Sequence, residues 1–161
     1  MNYIIYTISC LCLVIIQTTI LPFSPFGNKF YDLLSPLVIF FGLFRPVREG
    51  IPVVLVTGFI MDGLSGGPAG LYATTYFWLL IAVKFIIQYL HENNRILWPI
   101  VVILGVLIEN LMIYAIVSLV SPHYQFNMSD IKAVSIQLVW AGLTGPMILM
   151  FLYAVLRIRA L

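Results

Sequence analysis

Three polar side chains stand where an apolar chain has least reason to carry them: Asp62, Glu109 and Asn110. An ionised carboxylate inside lipid costs several kcal/mol, roughly 2.5 or more, so protein or water must hold it. With a helix rise of about 1.5 Å per residue, Asp62 lies roughly 16 Å beyond Ile51 and Glu109 roughly 18 Å beyond Leu97. Both depths are near the middle of a hydrocarbon core about 30 Å thick. Carboxylates at one depth in neighbouring hairpins could line a small-molecule pocket, with Asn110, Thr57 and Thr74 as its other polar groups. They could equally be polar staples between helices. Lys84 lies near the end of its run, where a lysine stem reaches for the interface. His91 and His123 stand in turns on opposite sides, and zinc needs three or four converging ligands. The chain has no GxSxG, P-loop, HExxH or dinucleotide fingerprint. These residues point to no enzyme, no cofactor and no metal.

The elements that must position these groups are apolar. Of 161 residues, 62% are hydrophobic and 9% charged, against roughly 25% charged in soluble domains. That composition implies an integral membrane protein, and strands alternating polar and apolar residues are missing, so the spans are helices. A net charge of +2 is too small for nucleic-acid binding. Polar breaks divide the chain into a single domain, residues 1–161, with spans at about 2–21, 31–44, 51–66, 69–90, 97–120 and 131–156. The first span lacks a basic flank and a cleavage pattern, so it reads as a span and not as a removed signal. Residues 45–50 read as a short charged turn. Asn127 or Ser129 is placed to cap the sixth span, and Pro146 to kink it. Cys10 and Cys12, two apart on a helix, point about 200° away from each other and cannot bridge. Gln17 and Gln137 fall toward span ends, where they can bond between helices. Six spans put Arg45, Arg48, Arg95, Arg157 and Arg159 on the side of both termini. Lys29 and Lys132 lie opposite, so the basic residues predict cytoplasmic termini.

Two stretches carry small residues at helix-packing spacing. In the first, Gly58 to Gly70, Gly63 and Gly67 sit four apart, as do Gly66 and Gly70, the spacing that lets helices approach closely in lipid. Gly66-Gly67-Pro68 also ends a helix. In the second, Ala141-Gly142-x-x-Gly145, Gly142 and Gly145 share a face beside Trp140. That face is expected to be free for a partner's helix, or to pack within the chain.

Several motifs then resemble one family. Gln17-Thr18-Thr19-Ile20-Leu21-Pro22, Asp32-Leu33-Leu34, Arg48-Glu49-Gly50 and Gly58-x3-Asp62-Gly63-Leu64-Ser65-Gly66-Gly67-Pro68-x-Gly70-Leu71 look like the rod shape-determining protein MreD family. Order and spacing match across the first half of the chain; Phe30-Tyr31 departs from the family, which commonly has a proline before the aspartate. The resemblance implies a non-enzymatic inner-membrane scaffold of the bacterial cell-elongation and peptidoglycan-synthesis machinery. It implies an MreC-like bitopic partner and, through it, MreB, RodA and a class B penicillin-binding protein. The expected fold is all-α, a compact bundle of six transmembrane helices. In layout it is similar to the substrate-binding subunits of energy-coupling vitamin transporters. The alternative function is a carrier or binding subunit with Asp62 and Glu109 in a midplane pocket.

Overall fold

In lipid the backbone must satisfy its own hydrogen bonds, and every regular element among the described residues is a helix. The structure is a computed structural model; it describes residues 11–20, 31–66, 68–89, 98–120 and 127–157. Among these residues there are six helices. The first, α1, covers residues 11–20, and its end, Ile16–Ile20, is a π-helical turn. The others are α2 (Leu34–Phe44), α3 (Val47–Ser65), α4 (Leu71–Tyr89), α5 (Trp98–Val120) and α6 (Met128–Arg157). Leu71–Gln88, Trp98–Val120 and Met128–Ala154 are long and apolar enough to cross a membrane, whereas α2 is apolar but only 11 residues long.

The short helix is the centre of the bundle. Every residue from Leu34 to Leu43 is buried, and α2 packs against α3, α4, α5 and α6. A helix that is apolar all round belongs inside, and Ser35 is the only polar side chain of α2. The surrounding helices bury one stripe each. On α5 the buried positions are Trp98, Val101, Val102, Gly105, Val106 and Glu109, the three-and-four spacing of a single helix face. On α6 they include Ala141, Gly145, Leu149 and Leu152.

Two antiparallel pairs flank α2: α3 with α4, and α5 with α6. The first closes through a glycine turn. Gly66 ends α3 at φ 66° and Gly70 precedes α4 at φ 89°, conformations in which a Cβ would be strained. The two helices come together at Gly58, where an added Cβ would lie 2.5 Å from Ala73 Cα. Gly63 does not take the packing role its spacing predicts. It is exposed, with no other atom within 4 Å of its Cβ position; Gly67 lies outside the described residues. The reason is register: Gly58 is on the buried stripe Gly50, Val54, Thr57, Gly58 and Met61, and Gly63 is on the opposite face.

In the second pair, a Cβ on Gly145 would meet Val102 Cγ1 at 2.4 Å, and one on Gly142 would meet Ile103 Cδ1 at 3.1 Å. The face that the sequence offers to an outside helix is therefore filled by the chain's own α5. Trp140, half-buried, packs against the core from the same helix. Gly105 against Ile39 and Gly42 against Val83 are two further close approaches, both seating α2.

The charged turn is shorter than its composition predicts. Helix α3 starts at Val47, so Arg48 and Glu49 belong to its first turn. Pro46 stands at the cap position with φ −64°, its carbonyl accepts the Glu49 and Gly50 N–H groups, and an acid suits the positive end of the helix. At the start of α6, Asp130 reaches back to the Asn127 N–H (3.1 Å) while the Asn127 carbonyl accepts the Asp130 N–H (3.0 Å). The helix then continues through Pro146.

Candidate functional site

Asp62 sits in the last turn of α3, three residues before its end, and caps the next helix. Its Oδ1 accepts the Tyr72 N–H at 2.8 Å; its Oδ2 accepts those of Gly70 at 3.1 Å and Ala73 at 3.3 Å. The first N–H groups of a helix have no partner within it, and a carboxylate there also meets the positive end of the dipole. Gly66 and Gly70 fold the chain back far enough for this to happen. Ser65 and Pro68 lie exposed at the same turn.

A second polar cluster lies deeper, around the first residues of α2. Oδ1 of Asp32 accepts the Leu34 N–H at 2.9 Å, and its Oδ2 accepts the hydroxyl of Tyr76 from α4. Gln17 of α1 accepts the Leu33 N–H at 2.9 Å. Ser35 donates to Oε2 of Glu109 on α5, and the carboxyls of Glu109 and Asp32 interact with each other. Tyr31 meets Thr144 of α6 at 2.8 Å, and Thr144 donates its one hydrogen to the Trp140 carbonyl at 2.7 Å. Tyr31 is thus the donor of the first bond. Side chains from α1, α2, α4, α5 and α6 converge on this point.

Depth can be measured along the helices. Phe44, Trp98 and Tyr153 form one aromatic layer, with ring centroids 5.0–5.9 Å apart, and such rings favour the membrane interface. From that layer Ser35 and Thr144 are each about 14 Å along their helices and Glu109 about 16 Å. Half of a core about 30 Å thick is about 15 Å. Helix α2 therefore begins about 14 Å along its axis from that aromatic layer, with its N-terminus bound by Gln17 and Asp32.

Asp62 and Glu109 do not share a site. Asp62 bonds the Tyr72 N–H and Asp32 the Tyr76 hydroxyl, and these α4 residues are one turn apart, about 6 Å. Their rings are 5.8 Å apart, and Tyr72 is within electrostatic reach of Asp32, Glu109 and Asp62. Glu109 is paired with α2 instead. The other groups expected in a pocket each bond a carbonyl one turn back, although Thr74 also lines a groove between α3 and α4 and Asn110 one between α5 and α6. Asn110 donates to the Val106 carbonyl at 2.8 Å, Thr57 to that of Val53, and Thr74 to that of Gly70.

Asp32 is the residue that sequence reading undervalues. It reads as the polar start of a span, because nothing local shows that its helix begins inside the bundle. The available signal was an Asp ahead of an apolar run, the pattern of a cap. Ser35 and Tyr76 carry no signal, since hydroxyls in apolar helices are common. His91, His123 and Cys10 lie outside the described residues. Cys12 is a free, exposed thiol, and no group of three or more His, Cys, Asp and Glu able to hold a metal occurs among the described residues. No family model, curated protein or solved structure matches this chain.

Proposed function

We propose that this chain is a non-enzymatic membrane scaffold of the bacterial cell-elongation machinery, related to the MreD family that its first half resembles. In this reading it spans the inner membrane six times with both termini in the cytoplasm. It holds an MreC-like bitopic protein, and through it MreB, RodA and a class B penicillin-binding protein. The observation that carries the reading is the use of the motif residues. Gly58 lets α3 and α4 touch, Gly66 and Gly70 turn the chain, and Asp62 caps α4. The segment most like the family is a device for building a rigid hairpin. A rigid hairpin is what a scaffold presents within the membrane, where association rests on packing.

A carrier would need Asp62 and Glu109 to face one cavity. Their separate bonding partners favour the scaffold over that alternative, as does the lining of the groove between α3 and α4. That groove, about 320 Å³, is lined by Leu55, Phe59, Gly70, Ala73, Thr74 and Phe77 and not by a carboxylate. Co-expression of the tagged chain with an MreC-family protein, followed by purification in mild detergent, tests the reading. A stable complex, together with rounding of rod-shaped cells when the chain is depleted, supports it. An intact bundle that retains no such partner and whose loss leaves cell shape unchanged refutes it.

A further inference from the structure

Glu109 is 2% exposed. Its Oε2 accepts the Ser35 hydroxyl, while its Oε1 is buried without a hydrogen-bond partner. A buried oxygen left in that state has given up its water without a replacement, so some group must complete it. The neighbouring acid, Asp32, has both oxygens occupied by donors, Leu34 N–H and Tyr76 OH. Asp32 also stands at the positive end of α2, where the helix dipole meets its carboxyl. Glu109 has neither advantage, since it lies in the middle of α5 with one donor.

The charges around the pair do not balance it. The groups acting on the two carboxyls are Gln17 from α1, Ser35 and the Leu34 N–H from α2, Tyr76 from α4, and each other. Tyr31, just ahead of α2, and Tyr72 of α4 feel both carboxyls, and Tyr72 also feels Asp62 of α3. Thr144 of α6 bonds Tyr31. Among these described groups every one is a carboxyl, a hydroxyl, an amide or a backbone N–H, and none is basic. Among the described residues that act on the pair, no cation would offset two adjacent negative charges.

We infer that Asp32 and Glu109 form an intramembrane proton-binding site, with one proton carried on Oε1 of Glu109 and donated to the Asp32 carboxylate. A single hydrogen completes the one oxygen of the pair that lacks a donor. An alkali ion would instead need several oxygens open at once. The site joins the start of α2 to the middle of α5. Releasing the proton places two like charges across that contact and loosens α2, the core helix. This inference stands independently of the scaffold reading.

Infrared spectroscopy of the full chain in lipid nanodiscs tests it. At neutral pH the wild type should show a protonated-carboxyl band that Glu109→Gln removes and that Asp32→Asn shifts. The proton is retained in the folded state but lost by an unfolded glutamate above about pH 4.3. Its stabilisation therefore fades as pH rises, so the wild-type Tm should fall as the pH is raised above about 5. Glu109→Gln should lose that component of the slope. Should Glu109→Gln fail to fold, carbon-13 glutamate labelling of the wild type assigns the band directly. The inference is overturned if the wild type has no such band, if the band survives in Glu109→Gln, or if it ignores the label. It is also overturned if sodium at fixed pH raises the Tm and the band is missing, which would make the ligand an alkali ion.

Discussion

Replacing Asp62 separates two ways in which the α3–α4 turn could be held. All three partners of its carboxylate are N–H donors. In Asp62→Asn, one oxygen remains an acceptor and the other becomes an NH₂ donor. If the retained oxygen keeps the 2.8 Å bond to Tyr72, the bonds to Gly70 and Ala73 are lost and two donors face a donor. Hydrogen bonds to a charged group contribute about 1.5–3 kcal/mol at full strength, and helix caps about 0.5–2 kcal/mol. The Gly70 and Ala73 bonds are the longer ones, 3.1 and 3.3 Å, which places Asp62→Asn at about 1–2 kcal/mol. Asp62→Leu removes all three acceptor contacts and should cost about 3 kcal/mol. At about 2–4 °C per kcal/mol for a chain of this size, the Tm should fall by about 2–8 °C and about 6–12 °C respectively. Thermal unfolding of the purified chain, followed by circular dichroism at one detergent concentration, reads both shifts. Equal Tm values for wild type and Asp62→Asn would refute the capping role, because the charge and second acceptor would then be idle. Equal losses in Asn and Leu would refute the atom-by-atom partition.

Gly58→Val places a side chain against the Ala73 backbone, 2.5 Å from its Cα. Overpacking of about 1–3 kcal/mol follows, and size-exclusion profiles should show loss of monodisperse protein. Ala73→Gly should restore only part of it, since the backbone of α4 remains in place. Gly145→Ala should destabilise by about 1–3 kcal/mol and be relieved by Val102→Ala, giving a clear coupling in a double-mutant cycle. Gly142→Ala, which meets only the flexible end of Ile103, should cost less than Gly145→Ala in the same unfolding assay. For topology, single cysteines placed at Asn28 and His123 in a background lacking Cys10 and Cys12 should react with an impermeant reagent added outside. One at Asn94 should not, and its labelling would overturn the six-span arrangement.

How much of the bundle was legible depends on whether a residue's role is local. The apolar runs announce the helices, because a span needs length and hydrophobicity from its own segment alone. The stripe Trp98, Val101, Val102, Gly105, Val106 and Glu109 repeats at helical spacing, so it was available from the chain, as was the helix stop at Gly66. The start of α3 was misread by four residues, since Arg48 and Glu49 look like a turn until Pro46 is recognised as the cap. Gly142 and Gly145 show why small residues alone do not identify a docking face. Their spacing permits a close helix, but whether that helix is α5 or an outside one depends on how α6 is rotated.

The sequence by itself determined that this chain is membrane-embedded and helical, and that a glycine turn carrying Asp62 joins two antiparallel helices. Those features follow from composition and from neighbours within a dozen residues. Only the tertiary structure decided that α2 is the buried centre, and that Glu109 belongs with Asp32 and not with Asp62. Asp32 and Glu109 are 77 positions apart in the sequence, and no periodicity encodes that distance. They meet because Gly42 against Val83 and Gly105 against Ile39 let neighbouring helices close on α2. Packing thus fixes which polar groups, stranded at one depth in an apolar chain, become partners.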